Sequence, residues 1–303
     1  MVWAIKMPDD FVVAVASGKG GTGKTTVAVN LALAACESWR KVQYLDCDVE
    51  EPNGHIFLRP EISARRKVTV NVPQVDLNKC TACGQCGEIC QYGAILCIKE
   101  NVLVFEQLCH SCGGCFRICP EGAIIAKPLE IGAIECGVSG KIDFVSGKLN
   151  IGNVRTPALI RGVKKHILQD RLAILDVPPG TSCPVVEAVK DADFVLLVTE
   201  PTPFGLYDLK LAIELVRQLN LHFAVAINRD GIGNRDVEEY CRDQKIDIVF
   251  RLPDDRRIAE AYSFGKMIVD ISDNYKRQFL DVYKYLERAK VRLNDAKLLQ
   301  VRR

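Results

Sequence analysis

Apolar positions in this chain gather into short, β-branched runs that stop abruptly at glycine, acid or amide. Phe11 to Ala16 (FVVAVA) runs into glycine-rich sequence, and Val42 to Leu45 ends at Asp46 and Asp48. Leu172 to Leu175 precedes Asp176, Phe194 to Val198 precedes Thr199, and Phe223 to Ile227 precedes Asn228. Continuous apolar runs of this length mark strands buried on both faces, and so predict a parallel sheet. Lys24 to Cys36 has helical composition between the first two strands, and a helix is predicted from about Tyr207 to Leu219. Strands alternating with helices imply right-handed crossovers and helices on both faces of the sheet. Residues 60 to about 135 break that rhythm. An insert of roughly 75 residues is far longer than a loop, so it is predicted to fold as its own module.

Composition narrows the class only slightly. The 303 residues are 48% hydrophobic and 26% charged, ordinary values for a globular protein. A net charge of +2 gives no reason to expect a nucleic-acid partner. No apolar run approaches the ~18–20 residues that span a bilayer. Met1 to Asp10 carries Pro8, Asp9 and Asp10 where a secretory signal has its apolar core, which predicts a cytoplasmic chain.

The cysteines change the picture more. Eight of the fourteen form two runs, Cys80, Cys83, Cys86, Cys90 and Cys109, Cys112, Cys115, Cys119. Each reads C-x₂-C-x₂-C-x₃-C, and Pro120 follows the second. Disulfide frameworks belong to small exported domains, whereas these thiols crowd into part of a large chain. Structural zinc sites separate their cysteine pairs by longer spacers, so the tight spacing favours iron–sulfur ligation. The two runs are an internal repeat: Cys90-Gln91-Tyr92-Gly93-Ala94-Ile95 matches Cys119-Pro120-Glu121-Gly122-Ala123-Ile124, with Gln91 in the proline position. The pattern resembles bacterial ferredoxins, in which the fourth cysteine of each run ligates the other cluster. That resemblance implies one [4Fe–4S] cluster on Cys80, Cys83, Cys86 and Cys119, and another on Cys109, Cys112, Cys115 and Cys90.

Gly18-Lys19-Gly20-Gly21-Thr22-Gly23-Lys24-Thr25-Thr26 fits G-x₄-G-K-[ST] after a strand and before a helix, the context of a phosphate-binding loop. Successive backbone N–H groups and the helix N-terminus favour phosphate; Lys24 would reach the β- and γ-phosphates and Thr25 would ligate Mg²⁺. The second lysine makes Gly18-Lys19-Gly20-Gly21 similar to the deviant Walker A loop of the MinD/ParA/Mrp family of P-loop ATPases. In that family this lysine reaches across a dimer interface to the partner's nucleotide, offering a cation where charge develops. Leu45-Asp46-Cys47-Asp48-Val49-Glu50-Glu51-Pro52-Asn53 resembles the family's switch I, which implies that Asp48 orients the attacking water and Asp46 lies near Mg²⁺. Ile174-Leu175-Asp176-Val177-Pro178-Pro179-Gly180 resembles Walker B and switch II, with Asp176 holding Mg²⁺ through water and the Gly180 amide sensing the γ-phosphate. Asn228-Arg229 resembles the adenine-reading position, and Leu252-Pro253-Asp254 the wall over the base.

The resemblance therefore implies a P-loop α/β fold, a mostly parallel sheet with helices on both faces, and an inserted α+β ferredoxin module. Residues 1–59 and 131–303 would form the ATPase and 60–130 the insert. The implied cofactors are ATP, Mg²⁺ and two [4Fe–4S] clusters. The implied partners are a second copy or a paralogous ATPase, and a redox or cofactor-acceptor protein. Electron transfer driven by ATP is the first expectation, metal-cofactor assembly the second, and positioning in the manner of MinD or ParA the third. Cys36, Cys47, Cys97 and Cys241 are expected as packing residues. Cys183, just after switch II, is expected to pack as well, although a nitrogenase iron protein has a cluster-bridging cysteine there and Cys136 would be a second thiolate. Leu286, Ala289, Leu293 and Ala296 share a helical face beside Arg288, Lys290, Arg292, Lys297, Arg302 and Arg303, and predict a helix packed on the domain or a partner more than on a membrane.

Overall fold

The computed structural model describes residues 11–37 and 41–301, with side chains described as far as residue 293. Met1 to Asp10, Arg302 and Arg303 lie outside these residues, as do the side chains of Ala296 and Lys297. The chain begins with β1 (Phe11–Ala16), α1 (Lys24–Glu37), β2 (Val42–Asp46) and α2 (Gly54–Leu58). The middle section comprises β3 (Glu61–Val75), α3 (Gln85–Glu88), β4 (Ile95–Ile98), β5 (Asn101–Val104), α4 (Gly114–Ile118), β6 (Ile124–Ser139) and β7 (Ile142–Leu149). It is followed by α5 (Thr156–Lys164), β8 (Leu172–Asp176), α6 (Cys183–Val189), β9 (Phe194–Thr199) and α7 (Pro203–Gln218). The last elements are β10 (Phe223–Asp230), α8 (Asp236–Asp243), β11 (Ile248–Pro253), α9 (Arg256–Ser263) and α10 (Asp273–Val301).

Nine strands form one sheet in the order β11-β10-β9-β1-β8-β2-β7-β6-β3. The pairs from β11 to β7 are parallel, and β6 and β3 run antiparallel at the edge. Alternate residues of the central strands feed two cores. Val13, Val15, Leu172 and Ile174 meet Leu31 of α1 and Phe279 and Leu286 of α10. Ala14, Ala16, Ala173 and Leu175 meet Leu159 of α5, Val189 of α6 and Leu209 of α7 on the other face. A parallel sheet covered on both sides explains why these strands read as unbroken apolar runs.

The middle section departs from the sequence reading in one respect. β3 and β6 are long strands paired from Glu61↔Val138 to Val75↔Ile124, and β7 pairs β6 over residues 132–139. The expected boundary at 60 thus falls at the start of β3 inside the main sheet, and that at 131 falls where the sheet continues into a two-stranded ribbon. The cysteine runs lie beyond its far end, between Asp76 and Ala123. Arg65, Arg66 and Lys67 are all exposed, so this edge strand lacks the continuous apolar run that identifies the central strands.

α10 lays Leu286, Ala289 and Leu293 against the core shared with α1, in line with a helix packed on the domain. Among the described residues, no helix is long and apolar enough to cross a membrane.

Candidate nucleotide site and thiol cavities

A cleft of about 410 Å³ opens where the loop after β1 meets the C-terminal ends of the strands. It brings together Gly20, Gly21, Gly23, Lys24, Thr25 and Thr26 with Asp48, Asn228, Arg229, Pro253 and Asp254. Glu51, Asn53, Pro179 and Asp255 line it too, as do Ile258, Ala259 and Tyr262 on α9, which the sequence reading missed. The spacing of Ile258 and Tyr262, one helical turn apart just beyond Pro253, was the available signal.

The loop geometry is enforced by close contacts. Gly23 has φ +90°, and a Cβ there would meet Asn228 Nδ2 at 2.3 Å. A Cβ on Gly18 would lie 2.2 Å from the Asp208 carbonyl oxygen of α7. Asn228 donates through Nδ2 to the Thr22 carbonyl (2.8 Å), while its Oδ1 accepts from the Arg229 amide (3.0 Å). In this structure Asn228 therefore braces the loop from the cleft wall.

The acids sit in graded burial. Asp46 and Asp176 are register neighbours on β2 and β8, and both are fully buried. Burial pushes both carboxyls up, and Asp176 adds to the push on Asp46. Asp46 accepts from the amides of Gly54 (2.9 Å) and Asp48 (3.2 Å), which braces the loop after β2. Tyr44 donates to Asp176 Oδ2 at 2.8 Å. Thr25 and Lys24 act on Asp176 from the loop side, yet Oδ1 is buried without a hydrogen-bond partner. Burial raises Asp48 from 3.8 to about 7, against the opposing charge of Lys24.

Gly18, Lys19, Thr22, Asp46, Asp176 and Gly180 do not line the cleft. The Gly180 amide, expected to sense a γ-phosphate, donates to the Ser17 carbonyl (3.0 Å). Lys19 forms an ion pair with Glu200 of its own chain, and Arg229 reaches the other oxygen of Glu200 at 3.5 Å. Glu200 stands at the end of β9, and no motif singled it out.

At the end of the ribbon the eight thiols divide between two cavities. One is lined by Cys80, Cys83, Cys86 and Cys119, the other by Cys90, Cys109, Cys112 and Cys115. Each set takes three thiols from one run and the fourth from the other. The repeat extends to the backbone: Ala82 and Ser111 both have φ +54°, Gly84 and Gly113 have +85° and +79°, and Gly93 and Gly122 have +61° and +57°. The Ala94, Ser111 and Ala123 amides donate to the sulfurs of Cys90, Cys109 and Cys119, each at 3.3 Å. Among the described residues, no group of three or more His, Cys, Asp or Glu side chains is placed to hold a single metal ion.

The other cysteines depart partly from expectation. Cys47 and Cys241 are buried, while Cys36 and Cys97 are only half-buried, and Cys97 Sγ lies 3.8 Å from Cys86 Sγ. Cys183, expected to pack, is exposed because it opens α6 at the surface after Gly180; Cys136 lies 3.6 Å from His166 Nδ1.

A phosphate-type loop between a buried parallel strand and a helix, with acids at the neighbouring strand ends, defines a mononucleotide-binding α/β domain. The chain belongs to the CobQ/CobB/MinD/ParA nucleotide-binding family, whose model matches residues 13–269. A protein of Methanocaldococcus jannaschii with no characterized function is 33% identical over 288 residues, covering 88% of this chain and 94% of that protein. An iron–sulfur cluster carrier protein of Aquifex aeolicus is 24% identical over 297 residues, covering 91% of this chain and 66% of the carrier. The cell-division ATPase MinD of Pyrococcus furiosus has a similar fold, with TM-score 0.55 and 21% identity over 92% of this chain and 98% of that one.

Proposed function

We propose that this protein is a Mg²⁺-dependent ATPase that carries two [4Fe–4S] clusters and couples ATP binding and hydrolysis in a dimer to electron transfer to a partner protein. The observation that carries this reading is the crossed division of eight thiols between two cavities, on a ribbon continuous with the nucleotide-binding sheet. Four thiols around each void, with amides donating to sulfur, fit a cluster's donor set. When bound, the clusters supply one-electron storage.

In the cleft, the Lys24 side chain and the amides of Gly20, Gly21, Gly23, Lys24 and Thr25 take the β- and γ-phosphates. The unpartnered Asp176 Oδ1 and the Thr25 hydroxyl suit Mg²⁺, which supplies charge neutralisation when bound. Asp48 accepts a hydrogen bond from the attacking water, and Asn228, Arg229, Pro253 and Asp254 flank the base. Lys19 leaves Glu200 to meet the nucleotide of a second copy or a paralogue. The acceptor is a cytoplasmic redox protein.

Relatives named as iron–sulfur cluster carriers favour a second reading, in which the clusters or their metal are cargo handed to an apo-protein. Positioning of cell components leaves the thiols without a task. Anaerobically purified protein separates these readings. Lys24→Ala should lower hydrolysis by about 10²–10³-fold with iron content unchanged, and abolish ATP-dependent reduction of a one-electron acceptor. Acceptor reduction untouched by this substitution would refute the coupling. Iron leaving as an intact cluster for an apo-ferredoxin would establish the second reading.

A further inference from the structure

Arg155, at the N-terminal end of α5, is only 2% exposed, and its guanidinium donates to neutral oxygens. Its Nε donates to Ser111 Oγ (3.1 Å), Nη1 to Asn153 Oδ1 (3.3 Å), and Nη2 to the Glu106 carbonyl. The Glu106 carboxylate is itself engaged by Lys127 at 2.6 Å. Buried charge is ordinarily compensated. Here the adjoining feature is the loop of Cys109 and Cys112, where the Ser111 amide already bonds the Cys109 sulfur. Four thiolates with their iron would present negative charge on that side.

The next residue points the other way. Thr156 is buried and its hydroxyl donates to Glu50 Oε1 at 2.6 Å, two residues beyond Asp48. The backbone is joined at the same place, with the Leu149 amide donating to the Val49 carbonyl at 2.8 Å. α5 is also tied to α6, which follows Gly180: Arg161 Nη1 bonds Glu187 Oε2, and Lys164 Nζ the Glu187 carbonyl, each at 2.8 Å. One short helix thus touches the segments after β2 and β8 and the loop of one thiol cavity.

We propose that Arg155 and Thr156 are positioning residues that transmit nucleotide-driven movement of residues 48–50 to the cluster held by Cys90, Cys109, Cys112 and Cys115, changing its reduction potential. The inference rests on the cluster-bearing ATPase reading above. The redox step is uptake of one electron from dithionite by that cluster, with no bond made or broken. A guanidinium held close stabilises the reduced form; displaced, it stabilises it less.

The test uses the full chain, purified anaerobically, with each cluster followed by electron paramagnetic resonance during redox titration with and without MgATP. The relevant signal is the one lost in Cys112→Ser. In the wild type, MgATP should change its reduced-to-oxidised ratio at fixed potential by about threefold or more. Arg155→Gln should lower that ratio by about tenfold, 59 mV for one electron, while Arg155→Lys stays near the wild type. Thr156→Val should keep iron content, hydrolysis and the nucleotide-free potential, and lose the response to MgATP. An intact response in Thr156→Val, or Arg155→Gln moving both clusters alike, would overturn the proposal. Iron analysis shows separately whether the underlying reading fails. In that event hydrogen exchange still judges the link: MgATP should slow exchange of residues 106–112 about threefold in the wild type and not in Thr156→Val, and equal slowing would overturn it.

Discussion

Around the nucleotide cleft, functional groups hang from the ends of β2, β8 and β9, in which every residue is buried. Around the thiol cavities, the supporting elements are helical turns of four and five residues and a two-stranded hairpin. The cores differ accordingly. The sheet packs two extensive apolar layers, whereas the module's buried sets are Val72, Ala94 and Cys109, and Cys86, Ile95 and Ile124. Candidate ligands are part of that minimal core. One site is positioned by a fold that stands without its ligand; the other is positioned by chain segments that the ligand itself would have to hold.

The largest expected effect breaks this contrast most directly. Anaerobic iron chelation should leave residues 76–123 open to protease while MgATP binding by the sheet persists; a protease-resistant module after chelation would show that its small core suffices. Next is the acidity of Asp48, which burial raises to about 7 with Lys24 opposing and Asp176, Glu50 and Glu51 adding to the rise. If Asp48 orients the attacking water as proposed, only its ionised form accepts that hydrogen bond, and kcat/KM for ATP should fall about tenfold per pH unit below that value. The same shift makes the folded protein bind the proton more tightly than the unfolded chain. Its stabilising contribution is present near pH 4 and is lost as pH rises towards 7, a slope that Asp48→Asn should remove in thermal melts. The smallest effect concerns the repeat. Ala82 holds φ +54° without being glycine, so Ala82→Gly should stabilise the module by about 0.5 kcal/mol, read by protease resistance. A loss of resistance would mean that the Ala82 methyl matters more than backbone strain.

Legibility followed the same division. The cleft's loop, from Gly18 to Thr26, was readable because its residue types answer to a backbone path that few sequences can follow, and Asp176 because a buried strand ends in it. Grouping of Cys119 with the first run, and of Cys90 with the second, followed from the ferredoxin resemblance, and the cavities repeat that grouping. What escaped were contacts distant in sequence. Glu200 is an ordinary acid until Lys19 and Arg229 meet it, and Arg155 is an ordinary arginine until its burial beside Ser111 is known. β3 escaped because an exposed edge strand carries no continuous apolar run, and Asn228's hold on Thr22 because side-chain to backbone bonds leave no periodic trace.

The ribbon of β3 and β6 has a consequence for inheritance. Its strands pair from Glu61↔Val138 outward to Val75↔Ile124, with register shifts between Ile62 and Ala64 and between Val68 and Thr69, so the chain leaves and re-enters the sheet through adjacent rungs. Removing everything beyond a chosen rung and closing with a tight turn preserves every inner pair. A cysteine-bearing segment joined in this way could be exchanged or shed by recombination while the sheet keeps its connectivity, and the length of ribbon retained would set how far the segment stands from the sheet.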